Sequence, residues 1–473
     1  MIFQSLDFVV FLVAVFALHW VLRGVARKWL LVAASYVFFG YLHPWFLFLL
    51  WYVTLLVYGC GLAIERFQHY RKAFMLLGVA GCLAMLAVFK YFLFFVDNLV
   101  AVLNAMGMPL TAPAIRIVLP AGISFFAFQG MSYLIDIYRG QLKARTSLLD
   151  VALFKAFFPQ LVAGPIERAN HLLPQLENPR VLRWELVVDG LFLIVWGFFK
   201  KLVIADNVAV IANKVFVLEQ PGFPVLWAGV LAFCVQIFAD FSAYTDIARG
   251  AAKLLGINLI ENFRHPYLAQ SPGDFWRRWH ISLSSWFRDY VYIPLGGNRG
   301  GRLLETRNIM ITFLLSGLWH GASWNFVLWG AYWGALIVVY RFAGELIPAR
   351  VAELRGMVVC RVALMFVLIN FGWLLFRETD FHYLVRYLTL SPTAATALEW
   401  HAGAYFCCLV LLYSIPLMIH MWLDNSASDA AVRPPVATGY SALAIRTATA
   451  AGLFGLTLLL RTATSADFIY FQF

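Results

Sequence analysis

Charge is what this chain has least of. Only 13% of its 473 residues are charged, against about 25% in an ordinary soluble domain. Hydrophobic residues make up 62%. So little charge cannot cover the surface of a soluble protein of this length, so lipid must cover much of it. Acidic groups are the scarcer sign: 25 Asp and Glu face 36 Lys and Arg, a net charge of +11. In a soluble protein that balance would suggest nucleic acid. No basic, aromatic-interleaved soluble module is present, so nucleic acid is excluded as a partner and the cations are assigned to cytoplasmic loops and anionic headgroups. Cysteine is sparse too. Cys60, Cys82, Cys234, Cys360, Cys407 and Cys408 form no CxxC and no Cys/His ligand spacing, which supports neither a disulfide framework nor a metal site. Walker A, GxGxxG, HExxH and GxSxG are all missing, which argues against an ATPase, a dehydrogenase, a zinc protease and an α/β-hydrolase. No internal repeat supports an inverted-repeat transporter.

What fills the chain instead is apolar runs. A span needs about 20 mostly apolar residues. Candidates are Leu6–Leu22, Trp29–Leu42, Trp45–Ile64, Ala73–Phe95, Ile117–Ile137, Leu186–Phe199, Val225–Phe241, Ile309–Trp319, Phe326–Val339, Val358–Phe376, Tyr405–Trp422 and Ala442–Leu460. Several are too short to cross alone, and such helices are tolerated only inside protein or along a cavity. The expected fold is an all-α polytopic membrane protein with about 11–13 membrane-embedded helices plus re-entrant or interfacial ones. Met1–Leu22 lacks a basic leading region and reads as a first span, not a signal peptide. Arg23, Arg27 and Lys28, with Arg66, Arg71 and Lys72, read as cytoplasmic, which puts the N-terminus outside; a cytoplasmic loop Asp424–Gly439 would put the C-terminus outside too.

From Leu255 to Arg307 polar residues rise and alternate with Phe and Trp, as in an amphipathic or re-entrant element. Ser271-Pro272-Gly273-Asp274 carries a helix-start pattern, and the spacing predicts a helix over Phe275–Asp289. On such a helix Trp276, Trp279 and His280 share a face, while Arg277 and Arg278 point elsewhere. His280 is then either part of an aromatic-anchored interfacial helix or an active-site residue with arginines nearby for phosphates. His320, in Ser316-Gly317-Leu318-Trp319-His320-Gly321-Ala322, ends an apolar run. An ionisable group there is costly and points to function. It is either a core histidine bonded to a carbonyl or a general base in a partly dry tunnel. The other histidines (His19, His43, His69, His171, His265, His382, His401 and His420) suit interfacial or packing roles. Asp240-Phe241-Ser242-Ala243-Tyr244-Thr245-Asp246 puts hydrogen-bonding groups inside an apolar helix, as a structural network or part of a site. Gly164–Arg168 reads as a structural turn with an adjacent ion pair, and Lys200 and Lys201 as positive-inside charges closing a span.

The segments FWRRWHISLSSWFRDYVYIPLGGNR (Phe275–Arg299) and GLWHGASWNFVLWG (Gly317–Gly330) strongly resemble the membrane-bound O-acyltransferase (MBOAT) family. Pro120–Gly140, Phe158–Arg168 and Asp240–Tyr267 add matches in family order, through about Met1 to Phe376. The resemblance is to the bacterial branch typified by the membrane subunit of alginate O-acetylation; it is also similar to subunits that acetylate peptidoglycan or cellulose and to the D-alanyl transfer protein of teichoic acids.

The resemblance implies one membrane domain over 1–473: N-terminal spans (1–115), a motif-bearing core with a funnel (116–345), and C-terminal spans with the tail (346–473). It implies O-acetyl transfer from acetyl-CoA, as a donor substrate, to a periplasmic SGNH-type partner acting on an exported polysaccharide, in a bacterial inner membrane. His320 matches the family's catalytic histidine and His280 its second motif histidine. Trp276, Arg277, Arg278 and Trp319 are the candidate donor contacts, and Asp240, Ser242, Tyr244 and Asn262 a supporting network. The tail Phe468–Phe473 resembles the branch's FIYF-type end, which makes Tyr470 a candidate acyl relay. Its phenol, with an ordinary pKa of about 10, needs a base, and His320 is the candidate. Alternatives are peptidoglycan or cellulose as acceptor, a transporter or flippase that moves an acyl donor without chemistry, and a scaffold in an exopolysaccharide complex.

Overall fold

The computed structural model describes residues 1–41, 43–111, 115, 117–162, 164–344, 355–428, 440–462, 468 and 469, and these are helical or irregular, with no strand among them. The chain divides into two compact units, Met1–Leu191 with Ile247–Ile260, and Phe192–Asp246 with Glu261–Phe473.

The first unit holds α1 (Leu6–Val21), α2 (Gly24–Gly40), α3 (Phe46–Arg66), α4 (Arg71–Leu86), α5 (Phe92–Ala105), α6 (Ile123–Tyr138), α7 (Leu148–Ala156), α8 (Phe158–Leu161) and α9 (Ala169–Glu177). Ser5 starts α1 by accepting from the Phe8 N–H at 3.1 Å. Helices α3, α4 and α6 pack on one another, and α6 is buried along nearly its whole length. The turn at Glu167 is structural, as its sequence suggested. The buried Glu167 carboxylate accepts from the Ile260 N–H at 2.6 Å and pairs with His171 at 2.7 Å. That carboxylate raises the His171 pKa.

Helix α10 (Trp184–Phe199) runs through a π-helical stretch, Lys200–Ala205, into α11 (Asp206–Phe216), and α12 (Phe223–Leu254) follows. The second unit continues with α13 (Pro272–Arg278), α14 (Ile281–Phe287), α15 (Arg302–His320), α16 (Trp324–Gly344), α17 (Arg355–Arg377), α18 (Phe381–Leu388), α19 (Ala397–Ser428) and α20 (Tyr440–Leu460). Among the described residues seven helices are long and apolar enough to cross a membrane. The runs at Leu186–Phe199 and Ile309–Trp319 lie in α10 and α15, which are not among the seven: α10 continues through the π-helical stretch into α11, and α15 opens on Arg302, Glu305 and Arg307. The most apolar window of α12 is 83% buried while that of α20 is 6% buried. Helix α12 is therefore a core element, and α20 turns most of its side chains to lipid.

In lipid there is little hydrophobic drive to bring helices together, so close packing supplies it. Helices α15 and α16 meet along their lengths. A Cβ at Gly317 would lie 2.1 Å from the Phe326 carbonyl oxygen, and one at Gly330 would lie 2.4 Å from that of Phe313. Both neighbours are backbone, so neither can yield without moving a helix. Gly317→Ala and Gly330→Ala should each lower stability by about 1–3 kcal/mol through overpacking, read as earlier thermal unfolding of the detergent-solubilised protein. Gly455→Ala, where nothing lies within 4 Å, should be neutral.

Candidate active site

The predicted helix over Phe275–Asp289 is not continuous. Its start is as read: the Ser271 hydroxyl accepts from the Asp274 N–H at 3.2 Å with Pro272 in the first turn. Helix α13 then ends at Arg278. Trp279 is extended and His280 adopts the left-handed conformation at φ 43°, before α14 begins at Ile281. The break is pinned from outside the segment. The Asn262 carbonyl accepts from the Ile281 N–H at 2.9 Å, and its side-chain oxygen accepts from the Ser282 N–H at 3.1 Å and hydroxyl at 3.0 Å. The Arg264 N–H donates to the Arg278 carbonyl at 2.9 Å. These bonds satisfy backbone groups that a continuous helix would have paired internally. Trp276, Trp279 and His280 consequently do not share a helix face, and His280 is not on an interfacial helix. Asn262 and His280 are fully buried. Burial pushes the His280 imidazole down to about 3, so it is neutral at physiological pH.

His320 ends α15 and is buried. Its ring packs edge-on against Trp319 at 4.9 Å, Trp329 at 4.8 Å and Phe376 at 5.2 Å. The chain turns at Gly321, where a Cβ would strike the Phe326 ring at 2.1 Å. The indole of Trp319 also meets His280, at 5.9 Å. One aromatic ring thus joins the two histidines, which α14, a loop and α15 separate along the chain. His280 is also met edge-on by Phe241 of α12, at 4.8 Å. The arrangement is an imidazole pair in a wall of indole and phenyl rings, suited to proton transfer shielded from water.

The polar segment of α12 is a buried ion-pair network. Asp240 pairs with Lys201 at 2.9 Å, and Lys201 also reaches Asp206 at 2.9 Å. Lys200 donates to Ser242 at 2.8 Å and pairs with Asp246 at 2.7 Å. Lys200 and Lys201 are thus not loop cations at a span end: both are buried, where charges require partners. The second oxygen of Asp240 accepts from the Ile469 N–H at 2.8 Å, and Phe468 stacks on Tyr244 at 3.9 Å. Phe468 also lies 5.9 Å from Phe241. The start of the C-terminal tail is therefore docked on the same helix, and the same ring, that covers His280. Tyr470 itself lies outside the described residues, as does most of Asp424–Gly439.

The proposed donor contacts separate. Trp276 packs against Trp329 at 5.6 Å and Trp333 at 5.2 Å. Arg277 is exposed, and both it and Arg278 share Asp274, at 3.4 and 3.0 Å. Sequence reasoning missed Phe241, Trp329 and Phe376 as the walls of the site. Trp329 and Trp333 stand one helical turn apart in WNFVLWGAYW, a readable aromatic face, whereas nothing local marks Phe376.

The sequence pattern of the MBOAT, membrane-bound O-acyltransferase family matches residues 139–376. The chain belongs to this family. It is accordingly a multi-pass membrane O-acyltransferase. A probable alginate O-acetylase, AlgI, of Pseudomonas putida is 40% identical over 82% of this chain and 79% of its own length. A peptidoglycan O-acetyltransferase of Helicobacter pylori is 34% identical over 75% of this chain and 71% of its own. A teichoic acid D-alanyltransferase of Bacillus subtilis is 27% identical over 55% of this chain and 69% of its own. The matched stretch contains Asn262, His280, His320 and Phe376, all the elements of the pair and its walls.

The left-handed backbone separates two roles of His280. A non-glycine residue there carries roughly 1–2 kcal/mol of strain that glycine avoids. His280→Gly should fold at least as stably as His280→Ala while losing acyl transfer equally; recovery of transfer in the glycine variant would mean that only the backbone matters. The buried neutral ring also sets a pH sign. Its folded pKa lies below the ordinary 6.5, so the unfolded chain binds the extra proton. Stability should fall as pH drops below about 6.5, and more weakly in His280→Gly, as followed by thermal unfolding.

Proposed function

We propose that the chain takes an acetyl group from acetyl-CoA at the cytoplasmic face of a bacterial inner membrane and passes it outward for O-acetylation of an exported polysaccharide, alginate being the first candidate. His320 acts as the base. The Tyr470 hydroxyl oxygen attacks the thioester carbonyl, its proton passes to His320, the C–S bond breaks, and the CoA thiolate leaves and is reprotonated. The acetyl ester on Tyr470 is then handed to a hydroxyl of a periplasmic SGNH-type partner, with both termini on that side. His280, neutral and held against Trp319, supports the first histidine, and a dry aromatic wall limits hydrolysis of the ester.

The observation that carries this reading is the docking of the tail. Ile469, the residue before Tyr470, is tied to Asp240 at 2.8 Å, and Phe468 contacts the Phe241 ring that covers His280. A terminus usually frays unless something fixes it, and here buried hydrogen bonding and stacking do. The alginate assignment draws on the name of the Pseudomonas putida relative reported above.

General acid–base groups contribute about 10²–10⁴ in rate. His320→Ala should therefore lower polymer acetylation in cells at least about a hundredfold at equal membrane abundance. Acetylation at the wild-type rate would remove the proposed base. Movement of intact labelled acetyl-CoA across proteoliposomes, with no acetyl transfer, would replace the enzyme reading with transport.

A further inference from the structure

A second feature lies in the first unit, at the junction of α1 and α2. A cavity of about 630 Å³ is lined there by Trp20, Arg23, Gly24, Arg27, Lys28 and Arg180. Its charges do not cancel. Lys28 is taken by Asp150 at 2.6 Å, and Glu177, also in the wall, is held by Arg145 at 2.5 Å. No carboxylate among the described residues pairs with Arg23, Arg27 or Arg180. Arg27 is oriented by the Leu22 and Arg180 carbonyls at 3.0 and 3.2 Å and lies over the Trp20 ring at 5.2 Å. Arg180 is anchored by the Gln175 carbonyl at 2.9 Å, yet its buried Nε has no partner. The first turn of α2 faces the same space with no side-chain cap at Arg23, and uncapped N–H groups at a helix start favour an anion. The rim is apolar: Val25, Val181 and Leu182 line the cavity and are exposed.

We propose that this cavity binds the headgroup of an anionic phospholipid, the phosphate on the three arginines and the α2 amides, the acyl chains along the apolar rim. Preorganised, unneutralised guanidinium groups are the chemistry that recognises phosphate. The apolar rim favours a lipid over a soluble phosphate, which has no use for it. None of these residues belongs to the site around His280 and His320, so the inference stands apart from the acyl-transfer reading.

The test titrates dioctanoyl-phosphatidylglycerol into the detergent-solubilised full chain, with occupancy read by native mass spectrometry. Dioctanoyl-phosphatidylcholine and inorganic phosphate serve as competitors. Expected is saturable binding that neither competitor displaces at equal concentration, weakened about fivefold in Arg23→Gln and further in Arg27→Gln. Arg23 is exposed, so its variant keeps the fold and the test intact if Arg27→Gln unfolds. Unchanged binding in Arg23→Gln, or equal displacement by phosphatidylcholine, would overturn the site. Equal displacement by inorganic phosphate would overturn the lipid as its occupant.

Discussion

A backbone that leaves helical geometry inside an apolar interior must find its hydrogen bonds without water, and the unit that carries the two histidines is organised by this requirement. Asn262 meets it at the His280 break: one residue supplies a main-chain and a side-chain acceptor to consecutive residues, Ile281 and Ser282. That clamp fixes the left-handed backbone at His280 and directs the ring towards Phe241 and Trp319. The same rule governs the charges. Lys201 between Asp206 and Asp240 is satisfied on both sides, and removing one partner of such a buried pair costs about 3–5 kcal/mol. Asp240 then uses its remaining oxygen to hold the tail. Solvation of buried polar groups and placement of functional segments are thus the same set of bonds.

Much of the architecture was legible because it is local or compositional. Long apolar runs mark spans whatever surrounds them, and the Ser271 helix start is written in four consecutive residues. The resemblance of Phe275–Arg299 and Gly317–Gly330 to the MBOAT family carried both histidines with it, and the family match covers them. What was illegible depends on distant partners. FWRRWHISLSSWF has ordinary helical spacing, and nothing within it announces a break imposed by Asn262. Lys200 and Lys201 look like loop cations because two of their three carboxylates, Asp240 and Asp246, lie some forty residues on; only Asp206 is near in the chain. The seating of Trp329 against His320 likewise rests on the fit of α15 to α16, which the bare backbones at Gly317 and Gly330 permit.

Membership of an O-acyltransferase family and the enclosure of two imidazoles by aromatic rings describe a protein that transfers acyl groups away from water. In the proposed mechanism, the docked start of the tail is what would let Tyr470 carry the acyl group. The measurement that tests this most directly is peptide mapping of purified protein after incubation with labelled acetyl-CoA and acid quench. The account predicts an acetyl ester on Tyr470 in the wild type and none in His320→Ala. An unlabelled C-terminal peptide in an active wild-type preparation, or equal labelling in His320→Ala, would contradict it.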